Sequence, residues 1–257
     1  MNGALDQWNT TKRFFVPNED ARVVELALGL LPRPVLSPAF VGGSGMLMLQ
    51  AAACLPEDAE PFFVDISLAQ ARLFVRLQYA LEAAKTPEDL RAWFAAEVYP
   101  DLRAHYAQRG RDYPLENVLD ALKNIFGIGL FFYPEDFAKA RRAARRALSR
   151  VSEVGTYLAG REREHDFIHL SNVADYVAAP SLPALFAACA AHPGPVFLLL
   201  TSACPEPEAV RLAWEQNGYR EHPAGAGLTE ANRGLGSAAL ARPWNRPGTI
   251  HLLCLEK

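Results

Sequence analysis

Apolar positions recur at helical spacing through Asp20-Ala-Arg-Val-Val-Glu-Leu-Ala-Leu, and Pro32 and Pro34 end that pattern. Residues 1–34 therefore read as a polar lead-in and an amphipathic helix. A short apolar run, Val35 to Val41, enters Gly42-Gly43-Ser44-Gly45, and Met46 to Leu55 reads as a helix stopped by Pro56. Phe62-Phe63-Val64-Asp65-Ile66 is a strand pattern ending on a carboxylate. Ser67 can cap a helix from Leu68 to about Lys85. Strand, glycine loop, helix, strand, acid and helix in that order form the opening unit of a doubly wound sheet.

The rhythm then changes. Thr86-Pro-Glu-Asp and Tyr133-Pro-Glu-Asp are helix starts, with Pro at the first helical position and acids in the first turn. Residues 86–148 contain few strand-like runs and are expected to form a helical insertion. Its last helix has one basic side, Arg141, Arg142, Arg145, Arg146 and Arg150, which reads first as a solvated face. Beyond it, Ser152 to Tyr157 is a short strand candidate, and Asp166-Phe-Ile-His-Leu-Ser is a buried strand ending at Ser171-Asn172. Leu182 to His192 and Glu206 to Asn217 read as helices around a central strand, Val196 to Thr201. Gly218 closes the second helix, and 237–241 with 248–255 form a final antiparallel pair. The expected fold is α/β: a doubly wound, mostly parallel, seven-stranded Rossmann-like sheet. It spans 1–257 as one domain, with the helical insertion between the second and third strand units.

Composition narrows the function classes. The 257 residues carry 26 Lys+Arg against 29 Asp+Glu, a formal charge of −3 with no long basic run, so nucleic acid is not an expected partner. The longest apolar run, Pro195 to Ala203, is strand-sized, and Met1 to Arg13 lacks the order of a signal peptide. No membrane partner is expected, and a cytoplasmic protein is. Cys54, Cys189, Cys204 and Cys254 are scattered without metal-ligand spacing, so no metal is expected. A small-molecule substrate remains the expected partner, and a homodimer is compatible with all of this.

The chemistry concentrates at the strand ends. Gly42, Gly43 and Ser44 follow the first strand, where glycines let the backbone approach a ligand. Asp65, at the end of the second strand and 20 residues after Gly45, can hold both hydroxyls of a ribose. The loop does not match GxGxxG, which points away from a dinucleotide and toward another adenosine-bearing ligand.

With Gly155-Thr156-Tyr157 and Asp166-Phe-Ile-His-Leu-Ser-Asn-Val, this arrangement resembles class I S-adenosylmethionine (SAM) dependent methyltransferases. Two segments are more specific. Val64-Asp65-Ile66-Ser67-Leu68-Ala69-Gln70 and His169-Leu170-Ser171-Asn172-Val173-Ala174-Asp175-Tyr176 are similar to the 3-amino-3-carboxypropyl transferases that make betaine-lipid headgroups. The similarity covers roughly 8–85 and 150–257. That family's loop usually reads SGGD, and this chain is shorter and shows no amphipathic membrane-binding face. A small soluble acceptor, or none, is therefore implied. Azetidine-2-carboxylate synthases share the fold and size range and cyclise SAM.

The resemblance implies SAM as substrate, no metal, and Ile66 and Gln70 beside Asp65 at the ligand. Attack at the methionine γ-carbon releases methylthioadenosine, whereas methyl transfer leaves S-adenosylhomocysteine. Cyclisation needs a neutral amine folded toward the γ-carbon, a geometry that a dry aromatic-lined pocket favours. Tyr176 is the aromatic candidate, and Ser171 and Asn172 are candidates for the amino-acid carboxylate or amine. Ser202 is placed in the same region, and Thr156 and Tyr157 at the adenine edge. Arg13, with Phe14 and Phe15, is a candidate lid able to pair a carboxylate. Asp175 is a candidate base, and Phe131, Phe132 and Tyr133 could close the pocket from above. Three functions stay open: γ-carbon chemistry on SAM by cyclisation or aminocarboxypropyl transfer, small-molecule methyl transfer, and non-catalytic nucleotide sensing.

Overall fold

The structure, a computed structural model, describes residues 15–17, 19–201, 204–237 and 248–255. Seven strands form one sheet: β1 (Pro38–Val41), β2 (Phe62–Asp65), β3 (Leu148–Val151), β4 (Phe167–Ser171), β5 (Val196–Leu200), β6 (Tyr219–Glu221) and β7 (Thr249–Leu255). Their order across the sheet is β3-β2-β1-β4-β5-β7-β6. All pairings among β1 to β5 are parallel, and β7 runs antiparallel to both β5 and β6. This is the doubly wound, mostly parallel sheet expected from the sequence.

The central strands are covered on both faces, which is why β1 and β5 read as unbroken apolar runs and β4 as one interrupted by His169 before it ends at Ser171. Their side chains feed two cores. One face packs Phe40, Phe63, Phe167 and Phe197 with α1 (Ala21–Gly29), α2 (Met46–Ala51), α3 (Leu68–Ala83) and the insertion. The other packs Val41, Val64, Ile168 and Leu198 with the helices after β3 and β4.

The insertion holds α4 (Pro87–Glu97), α5 (Tyr99–Ala107), α6 (Leu115–Asp120), a π turn at Ala121–Ile125 and α7 (Pro134–Arg146). Thr86 and Asp89 form a capping box at the expected start of α4. The block buries Leu90, Phe94, Leu102, Leu122, Leu130 and Phe131 in the first core. On its basic side Arg142 pairs with Glu57 at 3.8 Å and Arg145 with Glu82 at 3.4 Å, whereas Arg150 belongs to β3 rather than to that helix and pairs with Glu162 at 3.0 Å.

Two strand assignments move. The third strand is Leu148–Val151 rather than Ser152 to Tyr157. The Glu153 carboxylate accepts from the backbone of Gly155 and Thr156 at 2.9 and 2.6 Å and starts α8 (Val154–Gly160) there. The antiparallel partner of β7 at the edge is Tyr219–Glu221, not 237–241. Ser237 ends α11 (Gly225–Ser237), and 238–241 lie outside the described residues. The remaining helices, α9 (Leu182–Ala190) and α10 (Pro207–Gln216), fall close to their expected spans. Among the described residues, no helix is long and apolar enough to cross a membrane.

Candidate functional site

Strand order reverses between β1 and β4, so their crossovers leave in opposite directions and open a crevice at the strands' carboxyl ends. A cavity of about 310 Å³ lies there. Asp65, Gly42 and Gly43 line one part of it, Ser152 and Glu153 another, and Asn172 and Tyr176 a third. Val41, Ile66, Val154, Val173 and Val177 supply apolar walls. A smaller compartment of about 20 Å³ continues past Gly43 and is bounded by Glu19, Ser44, Met48 and His169; Ser171 borders both.

The loop that joins them is built from positive φ. Gly42, Gly43 and Gly45 sit at 73°, 83° and 78°, where any other residue would be strained. A Cβ on Gly42 would lie 3.6 Å from Asp65 Oδ2, between the loop and the acid. Gln70 Nε2 donates to the Gly43 carbonyl at 2.6 Å. Gln70 is itself buried and is not among the cleft-lining residues, so it braces the loop instead of facing the ligand as expected. Ser44 is buried, and its hydroxyl lies 3.4 Å from the Met46 backbone nitrogen.

Asp65 closes the other side. Its Oδ1 accepts from the Ser67 backbone at 2.6 Å. Burial outweighs that bond and pushes its carboxyl from the ordinary 3.8 up to about 7. A carboxylate held dry at a cleft wall suits a partner with hydroxyl donors, since their hydrogen bonds offset the cost of the charge.

At the end of β4 the register shifts between His169 and Ser171, and Ser171 adopts φ 51°, left-handed for a non-glycine residue. Its hydroxyl donates to Glu19 Oε2 at 3.0 Å. With its proton so committed, Ser171 can accept from an amine but is poorly placed to donate to a carboxylate. The Asn172 amide lies 3.4 Å from Asp175 Oδ2, which also accepts from the Thr201 hydroxyl. Tyr176 follows on the same turn and stays 54% exposed, its ring at the cleft wall.

Other expected positions do not meet the cleft. Thr156 is exposed on α8. Tyr157 is buried away from the site, stacked on Phe62 at 5.1 Å and hydrogen-bonded to His165 at 2.9 Å. The capping turn moves the pocket role to Ser152 and Glu153, just before them. Phe131 is core, paired edge-on with Phe94, and neither Phe132 nor Tyr133 lines the cavity. Arg13, Phe14 and Ser202 lie outside the described residues.

The insertion contributes no cleft residue and acts at one remove. Phe15 is buried against His105 of α5, with ring centroids 5.5 Å apart. The Ala21 backbone donates to Phe126 at 2.9 Å, and Arg22 joins Asp20 to the Asn124 carbonyl. Leu130 donates to Gln50 Oε1 at 3.0 Å, tying the insertion to α2 as well. These contacts fix the segment that delivers Glu19 to the end of β4. Glu19 has no local sequence signal. His169 had one, an imidazole inside an otherwise apolar strand. Among the described residues no cluster of three or more His, Cys, Asp or Glu could hold a metal ion.

No family model and no curated protein sequence matches this chain. Solved structures do resemble it. An O-methyltransferase candidate from Nostoc punctiforme is 13% identical, covers 91% of this chain and has a TM-score of 0.41; this chain spans only 56% of its length. Geranyl diphosphate C-methyltransferase from Streptomyces coelicolor, solved with Mg2+, geranyl diphosphate and S-adenosyl-L-homocysteine, is 12% identical over 91% of this chain and 75% of its own, at a TM-score of 0.47. The [4+2]-cyclase SpnF is 10% identical over 92% of this chain and 82% of its own, at a TM-score of 0.46. At these identities the likeness is one of fold.

Proposed function

We propose that the chain is a SAM-dependent enzyme acting at the γ-carbon of the methionine moiety, and that its reaction is cyclisation of SAM to azetidine-2-carboxylate with release of methylthioadenosine. The observation that supports it best is the pairing of two unlike compartments across one glycine loop. The larger has a buried carboxylate, Asp65, beside apolar walls, which suits a ribose and an adenine. The smaller, about 20 Å³, has room for one terminal group and presents a buried acid and an imidazole. Gly42 and Gly43 leave the strip between them free of side chains.

In this reading Asp65 accepts from the ribose hydroxyls, and Gly42 and Gly43 let the chain of the methionine moiety pass close to the backbone. Val41, Ile66 and Val154 exclude water from the adenosine half. Tyr176 sets its ring against the sulfonium, where the face of an aromatic ring favours a cation. Positioning is the main contribution, because the nucleophile and the leaving group belong to one molecule and only a folded conformer aligns them. The amine nitrogen bonds to the γ-carbon, the γ-carbon–sulfur bond breaks, and its electron pair stays on the sulfur of methylthioadenosine. One proton must leave the ammonium first. A buried carboxyl group and an imidazole beside that group offer a proton acceptor that attack by this amine needs and methyl transfer does not.

The test is an incubation with SAM alone, read by mass spectrometry. Methylthioadenosine with a cyclic amino acid is the expected outcome. Methylthioadenosine formed only after an acceptor is added would make the enzyme an aminocarboxypropyl transferase. S-Adenosylhomocysteine as the main product would refute γ-carbon chemistry.

A further inference from the structure

Glu19 and His169 are the most deeply buried ionisable pair of the site, with side chains 2% and 3% exposed. They come from places 150 residues apart, one on the segment before α1 and one in the middle of the sheet. Glu19 Oε2 accepts from Ser171, while Oε1 makes no hydrogen bond. His169 Nε2 lies 2.7 Å from Oε1, yet both ring nitrogens also lack a hydrogen bond, so the two groups touch without an aligned N–H. The imidazole cannot swing toward better alignment. Its ring is wedged between Phe40 and Phe197, with centroids at 5.3 and 5.1 Å.

A buried carboxylate with one oxygen unbonded is costly unless a donor completes it. The compartment that Glu19 borders accepts only a small donor. Its other walls are mostly apolar, with Pro17, Phe40, Val41, Leu47 and Met48 beside the Gly42–Gly45 loop. A guanidinium is too large for about 20 Å³, and a neutral hydroxyl leaves the charge uncompensated. A primary ammonium fits, with the free lone pairs of Ser171 as a second acceptor.

We propose that Glu19 holds the α-ammonium of the methionine moiety of SAM and takes the one proton it must shed before ring closure, with His169 as the positioning residue that keeps the carboxylate in place. This rests on the SAM reading above. The balance is simple. The proton passes from nitrogen to Glu19 Oε1, the freed nitrogen pair forms the bond to the γ-carbon, and the secondary ammonium of the product keeps its own two protons.

Calorimetry with SAM and with methylthioadenosine, on the wild type, Glu19→Gln and Glu19→Asp, tests the assignment. Methylthioadenosine lacks the amino-acid end, so all three proteins should bind it within about twofold, which also shows that the variants are folded. SAM affinity should fall at least tenfold in Glu19→Gln and less in Glu19→Asp, which keeps the charge. Release of methylthioadenosine from SAM should fall about 100-fold or more in Glu19→Gln. SAM affinity and turnover within twofold of wild type in Glu19→Gln would overturn the assignment. So would an equal loss of both ligands in both variants, which marks a structural role. Wild-type protein that binds neither ligand removes the SAM reading itself, a failure visible before any variant is made.

Discussion

Replacing Asp65 by Asn should move stability and affinity in opposite directions. Burial lifts the Asp65 carboxyl from 3.8 to about 7 in the folded chain, so the native state binds its proton more tightly than the unfolded state does. Stability therefore falls as pH rises through that window, since the folded protein must hold a charge it has desolvated. Lifting a carboxyl from 3.8 to about 7 corresponds to about 4 kcal/mol as an upper bound. Water reaching the acid through the open cleft reduces this to about 2 kcal/mol. Asn keeps an acceptor for the Ser67 backbone and carries no charge. Urea denaturation without ligand should find Asp65→Asn more stable than wild type by about 2 kcal/mol at pH 8, and within about 1 kcal/mol at pH 5. Calorimetry at pH 8 should find SAM binding weakened by about 1.5–3 kcal/mol, roughly 10- to 150-fold, the scale of hydrogen bonds to a charged group. A variant that is less stable than wild type at pH 8 and binds SAM unchanged would refute the ribose assignment and the burial argument together.

Further expectations separate site from scaffold. Gly42→Ala puts a Cβ between the loop and Asp65 at φ 73°; it should cost about 1–2 kcal/mol of stability and lower SAM affinity, both read in one thermal-shift titration. Gly45→Ala drives a Cβ into the Phe74 ring at φ 78°, and denaturation should show a loss of about 2–4 kcal/mol. Tyr157→Phe removes the bond to His165, so about 1 kcal/mol of stability should go while SAM affinity, measured by calorimetry, stays within twofold. Tyr176→Ala should lower the rate of methylthioadenosine release more than SAM affinity, and a wild-type rate would exclude its ring from the reaction.

The backbone plan was legible because its signals are local. Proline and glycine punctuation, the Ser67 and Thr86 caps and the apolar runs of β1, β4 and β5 each depend on residues a few positions apart. Sequence puts the third strand too late because Ser152 to Tyr157 has strand-like composition, whereas β3 is Leu148–Val151. Only the Glu153 carboxylate, bonded to two backbone nitrogens ahead of it, shows that the chain has already turned into a helix. That strand reading draws Tyr157 toward the ligand, although its partner, His165, is buried just before β4, at the end of the strand away from the cleft. The insertion was recognised as helical, but its side chains go to the first core and to the segment before α1 rather than over the cleft.

Sequence alone determined the alternation of strands and helices, the glycine loop and the acid that ends β2, because periodicity, caps and breakers act within a turn or two of chain. Tertiary structure decided what those pieces face. The order of strands across the sheet set the crevice between β1 and β4, and the burial of Asp65 gave its carboxyl a value near 7. The meeting of Glu19 with His169 and Ser171 depends on an insertion that pins the segment before α1 over a strand 150 residues away. Such contacts follow from packing between distant segments, and no local pattern encodes them.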